Sequence, residues 1–483
     1  MSSFRTQRRS SVASNLRFVF AFAILAIMAV SSQASDLRIE NVRLVAGQEA
    51  VSEWRVIFDL SWQNTWHNSR NHDAAWVFLK FVQNDGYAHA TLAPDGHSAT
   101  PISGTGTPAA QINLSPDRKG LFIHTAAQYR GDVHWRLSLK IDSTGIDRRM
   151  RDSRMEAFGI EMVHIPEGAF TLGDPDPKAL EYGAFYRSDS KGDPDGLVKI
   201  TSEAALDIGP AAGALYYRQG TYHGDRSGPL PETFPKGYNP FYVMKYEITQ
   251  GQYAAFLNAL RDEATFERAN FLGRSYYQKR GTIRLEDGRY VAASPNRPMN
   301  FISWDDGLAF ADWAALRPMT ELEFTKACRG PEQPRPGEFP WGTASREQLA
   351  RVVDPHDELV LTSGWNESRL ADETRPVFGA SYYWVMDLAG SLWERVITVG
   401  SPAGRAFKGS HGDGQPDSKG NEDWPFTYKG AEGHGYRGGG FYDQGRAEYE
   451  FNPYSPIAWR RFGGWSGSYP YRAYGFRCAR TAR

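Results

Sequence analysis

The strongest constraint on the fold is an alternation of apolar and polar residues in the first third of the chain. In "WRVIFDLSW", residues 54–62, Trp54, Val56, Phe58, Leu60 and Trp62 occupy every second position, and "WRLSLKI", residues 135–141, repeats the pattern. A period of two places such residues on one face of a β-strand. Since no long helical period interrupts residues 36–153, this segment predicts a small β-sandwich.

Length and composition limit the number of domains and the class of partner that the chain can have. A chain of 483 residues is too long for one ordinary core, so we expect two domains. The formal net charge of -1 shows no broad basic surface, so nucleic acid is not an expected partner. With 48 Gly, 28 Pro and 13% aromatic residues, the chain is expected to be rich in turns and aromatic contacts rather than disordered.

The N-terminus has the pattern of an export signal. Four arginines precede the apolar run "FVFAFAILAIMAV", residues 18–30, and "SSQAS" follows with small residues at Ser32 and Ala34. The run is too short to span a bilayer comfortably, so residues 1–34 are predicted to be a cleaved signal peptide. An uncleaved anchor is the alternative. We therefore expect a periplasmic or extracellular protein that is not stably inserted in a membrane after cleavage.

Residues 160–483 form the second predicted domain, which follows a polar linker, "DRRMRDSRM", at residues 147–155. A charged surface strand within one continuous domain is the alternative for this stretch. Three helices are predicted in it, at capping residues Thr249, Ser303 and Thr320, and Gln252 and Glu323 stand at capping-box positions. The remainder reads as loops and short strands punctuated by glycine. The expected class is α+β.

Seven stretches of this domain, in order, resemble the formylglycine-generating enzyme family, also called the sulfatase-modifying factor domain. They are "MVHIPEGAFTLG", "YVMKYEITQGQYAAF", "RPMNFISWDDGLAFADWAALRPMTELEFTKACRG", "FPWG", "RPVFGASYYWVMDLAGSLWER", "YRGGGF" and "YGFRCAR". The resemblance implies a loop-rich, C-type-lectin-like fold after the small β-sandwich.

The resemblance also implies what the chain lacks. Family members that oxidise a substrate cysteine carry two cysteines shortly after the glycine strand, which bind copper(I). Soft thiolates suit that metal. Here no cysteine lies between Gly438 and Cys478, so copper is not an expected cofactor.

The two cysteines match family positions that some members join by a disulfide. The resemblance therefore implies a Cys328–Cys478 bridge, which suits an exported protein. Two buried free thiols are the alternative, and a copper site built from this pair is a third reading.

Calcium is the other ion that the resemblance suggests. "MDLAGSLWER" is similar to a family loop in which a glutamate and carbonyl oxygens hold calcium, and Glu394 stands at that position. Ser391 and Arg395 depart from the family pattern. A structural glutamate that accepts hydrogen bonds from the loop is the alternative. His67 and His72 in "HNSRNHD" do not have the spacing of a metal site.

Aromatic and cationic residues occupy the region where the copper-binding pair is missing. Such a mixture suits stacking on sugars or gripping a peptide, although the same rings could fill a core. The ligand-binding candidates are Asp443, Tyr449, Tyr454, Trp459, Arg460, Arg461 and Trp465.

The sequence thus favours a secreted, non-catalytic family member that binds a glycan or peptide. The rival hypothesis is an oxidase, either of the formylglycine-generating type or with another oxidation on the same fold.

Overall fold

The computed structural model describes residues 37–46, 53–83, 86–142, 154–260, 262–273, 275–349, 351–353, 359–361, 371–415, 421–426, 432–440 and 454–482. The predicted signal peptide, residues 147–153 of the predicted linker, and the candidates Asp443 and Tyr449 lie outside this part of the chain. Within it, no helix has the length and apolar character needed to cross a membrane.

Strands dominate the architecture. In chain order they are β1 (Arg38–Ala46), β2 (Trp54–His67), β3 (Asp73–Gln83), β4 (Gly86–His89), β5 (Ser98–Pro101), β6 (Ala110–Leu114), β7 (Leu121–Thr125), β8 (Tyr129–Ile141), β9 (Met155–Ile165), β10 (Phe170–Leu172), β11 (Tyr186–Arg187), β12 (Val198–Ile200), β13 (Leu215–Tyr216), β14 (Phe241–Met244), β15 (Ile283–Glu286), β16 (Arg289–Ala292), β17 (Arg317–Pro318), β18 (Arg351–Val353), β19 (Leu359–Leu361), β20 (Trp393–Ile397), β21 (His434–Arg437), β22 (Tyr474–Phe476) and β23 (Cys478–Thr481).

The helices are short. They are α1 (Gln250–Asn258), α2 (Asp262–Arg268), α3 (Trp304–Trp313), α4 (Glu321–Arg329), α5 (Arg375–Phe378) and α6 (Pro402–Arg405), with 3-10 turns at Pro177–Tyr182, Tyr276–Gln278 and Asp372–Thr374. Helices α1, α3 and α4 begin at the predicted caps. The side chains of Thr249, Ser303 and Thr320 each accept a hydrogen bond from the backbone N–H of the N3 residue, and the N3 side chain accepts one from the backbone N–H of the cap. Many strands with few helices agree with the expected α+β class.

One sheet crosses the predicted domain boundary. Its strand order is β17-β23-β14-β9-β3-β7-β6, with β4 paired to β3. Strand β3 lies antiparallel to β9 from Asp73 opposite Val163 to Phe81 opposite Met155, and β9 pairs in turn with β14. Residues Ala34–Arg483 accordingly form one compact unit. The boundary predicted near residue 153 therefore does not separate two independent bodies in this structure.

Strand β3 serves two cores because its side chains alternate between faces. Ala75, Val77 and Leu79 pack with the apolar residues of β2 and β8, which belong to a four-stranded sheet of order β1-β2-β8-β5. Trp76 and Phe78 pack on the other side, with α1 and α3. The alternation predicted for residues 54–62 is confirmed, since Val56, Phe58, Leu60 and Trp62 are fully buried.

Candidate functional site

A three-stranded sheet positions the C-terminal residues that the sequence singled out. Its order is β21-β20-β22, with β21 antiparallel and β22 parallel to the central strand β20. Arg395 in β20 lies opposite Tyr436 in β21, and Trp393 lies opposite Tyr474 in β22. Because these side chains alternate with Glu394, the sheet presents aromatic rings on one face and an acidic group on the other.

The aromatic face continues into the loop that precedes β22. Trp465 lies at the centre, with ring centroids 5.1 Å from Tyr436, 5.8 Å from Tyr222 and 6.1 Å from Tyr469. Tyr222 and Tyr469 are 41% and 47% exposed, so the rim of the cluster is open to solvent. The cluster is called the aromatic patch below; its members are Tyr222, Trp393, Tyr436, Phe462, Trp465, Tyr469, Tyr471 and Tyr474.

A buried arginine supports the patch from beneath. Arg395 is fully buried, donates to Tyr436 Oη at 3.0 Å, and donates to the carbonyls of Ile302 and Tyr469 at 2.7 Å each. Its guanidinium carbon also lies 5.1 Å from the ring centroid of Tyr474. Burial raises the pKa of Tyr436 and of Tyr474, so both phenols stay protonated. Tyr436 and Tyr474 are thus neutral rings that pack on the buried guanidinium of Arg395.

The structure brings only part of the predicted ligand set to this patch. Trp465 is its central ring. Trp459 instead stacks on Tyr182 with centroids 3.8 Å apart, and Tyr454 meets the edge of Trp341 at 6.0 Å. Arg461 is exposed. The described members of the predicted set therefore occupy different neighbourhoods rather than one site.

Arg460 was expected at a ligand surface, and the structure corrects this. Its side chain is 1% exposed, and its guanidinium donates to both carboxylate oxygens of Glu321 at 2.9 and 3.1 Å. Arg437 from β21 donates to the same carboxylate at 3.2 Å. Two buried cations thus share one buried anion, and Arg460 holds the C-terminal loop to α4.

Glu394 does not have the environment of a calcium ligand in this structure. It is fully buried, and its two oxygens accept from Nε and Nη2 of Arg477 at 2.9 and 2.7 Å. Burial and the Glu394 carboxylate raise the pKa of nearby Glu247 well above its ordinary value. Among the described residues, no group of three or more His, Cys, Asp or Glu side chains could hold a metal ion. The expected calcium role of Glu394 does not fit, and the alternative of a structural glutamate does.

The disulfide expected from the resemblance is absent. Cys328 in α4 and Cys478 in β23 are both buried free thiols. Burial raises the pKa of each thiol, so neither is a reactive thiolate at neutral pH. The alternative of two buried free thiols describes this structure.

A separate pocket of about 290 Å³ lies between α4 and the segment around α5. Cys328, Trp341, Arg375 and Tyr382 contribute to its wall. A further wall residue, Arg70, comes from the loop between β2 and β3, far away in the sequence. This pocket is thus built jointly by the N-terminal segment and the C-terminal domain.

Comparison with known proteins agrees with this architecture. Residues 207–482 match the FGE-sulfatase family, described as the sulfatase-modifying factor enzyme 1-like domain. The chain belongs to this family. The match covers more than half of the chain and includes the strands and loops that carry the aromatic patch. Strands β1 to β12 precede it.

Formylglycine-generating enzymes from three organisms are similar to parts of the chain at low identity. The chain is 24% identical to the formylglycine-generating enzyme of Thermomonospora curvata over 220 residues, which are 38% of this chain and 70% of that protein. It is 28% identical to the formylglycine-generating enzyme of Bos taurus over 105 residues and 31% identical to that of Mus musculus over 101 residues. These alignments cover 22% and 20% of this chain, and 28% and 26% of the respective mammalian proteins.

Of the eight residues of the aromatic patch, the predicted ligand set contained Trp465 alone, and Tyr222 and Tyr436 illustrate why the others were missed. Tyr222 lies more than 200 residues before Tyr436, in a glycine-rich loop with no periodic pattern, so nothing local signals that it reaches Trp465. Tyr436 adjoins the glycines of "YRGGGF", but its position over Arg395 depends on strand register. Only the pairing of β20 with β21 brings the two together.

Proposed function

We propose that this protein is a non-catalytic member of the formylglycine-generating enzyme family that binds a glycan on the aromatic patch. The observation that carries the proposal is the half-open cluster around Trp465, with Tyr222 and Tyr469 at its exposed rim. We also propose a lectin-like fold for the family domain, a sandwich arrangement for the N-terminal strands, and a location outside the cytoplasm. The predicted signal peptide supports that location.

The chemistry of the patch favours a sugar. Tyrosine and tryptophan combine an apolar ring with a polar tip, which suits a ligand that has apolar C–H faces and many hydroxyls. Protonated phenols can both donate to and accept from such hydroxyls. Arg395 fixes Tyr436 and the backbone at Tyr469, so little ordering is required on binding.

The thiols argue against the oxidase alternative. The chemistry of the family's copper pair needs two sulfurs in the region after Gly438, and this chain has two cysteines in all, at positions 328 and 478. Both are free and buried, and their pKa values are raised. A binding protein would not need that cysteine pair, whereas an oxidase that binds copper(I) through the pair would lose its activity without it.

The first test is a glycan array with the full-length protein. Replacing Tyr222 and Tyr469 together by Ala removes the exposed rings but keeps the backbone groups that bond Gly464 and Arg395. We expect retention to fall by about tenfold or more, which corresponds to losing a binding hot spot. The melting temperature should stay near that of the unmodified protein.

Tyr277→Ala is the matched control, since this tyrosine is 48% exposed and lies outside the patch. It should leave retention unchanged. If no glycan is retained by the unmodified protein, or if both variants bind equally well, the patch is not a glycan site. Conversion of a cysteine-bearing sulfatase peptide in the presence of copper(I) and oxygen would establish the oxidase instead.

A further inference from the structure

Four histidines gather at the base of the loop that connects β2 to β3. His67 ends β2, His72 precedes β3, His124 lies in β7 and His164 in β9. His72 stacks on His124 with ring centroids 4.0 Å apart and on His164 at 4.8 Å, while His67 lies 5.1 Å from His72. His72 is thus stacked face to face with His124 and with His164, whereas the ring of His67 is tilted by 49° to that of His72.

The hydrogen bonds of His124 fit a neutral imidazole. His124 Nδ1 donates to the carbonyl of Thr125 at 2.9 Å, so its Nε2 is left to accept from Asn113 Nδ2 at 3.1 Å. Nδ1 of His67 donates to the same Thr125 carbonyl at 2.8 Å. A second proton on His124 would turn Nε2 into a donor facing the amide group of Asn113, and this hydrogen bond would be lost.

Among the described residues, no carboxylate acts on the charge of His72, His124 or His164. Tyr242 from β14 contacts His72 Nε2 at 3.3 Å and is protonated, since burial raises its pKa. Lys326 from α4 is a cation that opposes charge on His164. Asp73 follows His72 in sequence but points to the opposite face of β3, where it bonds Lys245 at 3.1 Å.

These surroundings lower the pKa values of the stacked histidines. Burial lowers the pKa of His124 and of His164 to about 4, and that of His72 to about 2, with the neighbouring imidazoles adding to the shifts. All three side chains are therefore neutral at pH 7. Once released to water, each would titrate near pH 6.5.

The loop above the cluster reaches the pocket. Arg70 at its tip forms an ion pair with Asp372, with Nη2 2.7 Å from Oδ2, and donates to the carbonyl of Tyr382 at 2.8 Å. Asn71 donates to the carbonyls of His164 and Tyr383 at 3.0 and 3.2 Å. The loop thus links the histidine cluster directly to the pocket wall.

We propose that His72, His124 and His164 act as an acid-sensitive latch: while neutral they hold the loop at residues 67–72 against the pocket, and their protonation releases Arg70 and opens the pocket. Imidazolium rings this close together repel one another, and release of the loop lets the partly exposed His72 and His164 separate and move further into water. The inference is independent of the glycan patch. It assigns the N-terminal strands a role in controlling access to a site in the family domain.

The direction of the pH dependence follows from the linkage between proton binding and opening of the loop. The closed form binds protons weakly and the open form binds them near pH 6.5, so the closed form is favoured above that pH and loses its advantage as the pH falls. For each histidine that takes up a proton on opening, the ratio of open to closed protein rises about tenfold per pH unit below 6.5.

Hydrogen–deuterium exchange of the full-length protein at pH 7 and pH 5 tests the latch. After correction for the chemical exchange rate, amides of residues 66–73 should exchange at least tenfold faster at pH 5, while those of β8 stay protected. His72→Phe keeps a ring in the stack but cannot titrate, so it should reduce the acid response; His164→Phe should do the same. His97→Phe is the matched control, because His97 is half-buried elsewhere and its pKa is also lowered by burial.

Three results would overturn the proposal. Unchanged exchange of residues 66–73 between the two pH values would show that the loop is not released. An equal rise in β8 would mean that the whole fold opens in acid. An undiminished response in both the His72 and the His164 variants would assign the release to other groups.

Discussion

The two sides of the shared sheet are stabilised differently. Toward the N-terminal strands, the core between β2, β8 and β3 is built largely from aliphatic and aromatic side chains. Toward the family domain, the interior also contains arginines that are almost fully buried, among them Arg395, Arg437, Arg460 and Arg477. The difference follows from backbone hydrogen bonding. Strand ladders satisfy their own carbonyls, whereas packed loops leave carbonyls that need side-chain donors.

Arg477 shows how one guanidinium serves several loops. It donates to the carbonyls of Met244, Lys245 and Met386 at 2.8 to 2.9 Å, in addition to the carboxylate of Glu394. Five donors in a rigid plane make arginine suited to this task. The loop-rich half therefore adds networks of buried arginines to its apolar packing.

The largest expected effect tests the charge pairs. Glu321→Ala leaves Arg437 and Arg460 buried without their anion, so we expect a loss of about 3 to 5 kcal/mol in the free energy of unfolding, measured in urea. Asp59→Asn is the control, because Asp59 pairs with Arg136 at 2.7 Å in a partly exposed setting and should cost at most about 1 kcal/mol. Equal losses in the two variants would remove the distinction between buried and surface pairs.

A somewhat smaller effect tests the apolar side. Leu60→Ala leaves a cavity at a fully buried position between the two sheets and should lower the free energy of unfolding by about 2 to 5 kcal/mol. Val45→Ala on β1, where the side chain is 36% exposed, should change stability by less than about 0.5 kcal/mol. A loss for Leu60→Ala below that of the Val45 control would show that this core is not what holds the N-terminal strands.

The smallest expected effect concerns calcium. Since Arg477 occupies both oxygens of Glu394, adding excess chelator to the purified protein should leave its melting temperature unchanged. Adding calcium back should also have no effect. The contrary result would be a calcium-dependent rise in the melting temperature that Glu394→Gln abolishes. It would restore the ligand role expected from the family resemblance and show that calcium displaces Arg477 from Glu394.

Local patterns predicted much of the fold. Leu60 and its alternating neighbours, and the caps at Thr249 and Thr320, depend on residues a few positions apart, which is why the sequence indicates them directly. The site was harder to predict. Trp465 was identified, but Arg460 looked like a surface cation because charged residues are rarely buried, and only its partner Glu321, 139 positions away, explains its place.

The sequence by itself determined the strands, the capped helices, the family and the absence of a cysteine pair, because each of these is a property of residue type and short-range order. The tertiary structure alone decided that one sheet unites both predicted domains, that the cysteines remain free, and that Glu394 faces Arg477. It also gathered the aromatic patch and the four histidines. Such contacts join distant segments through strand register and burial. The type of a single residue therefore does not predict which distant residue it will contact.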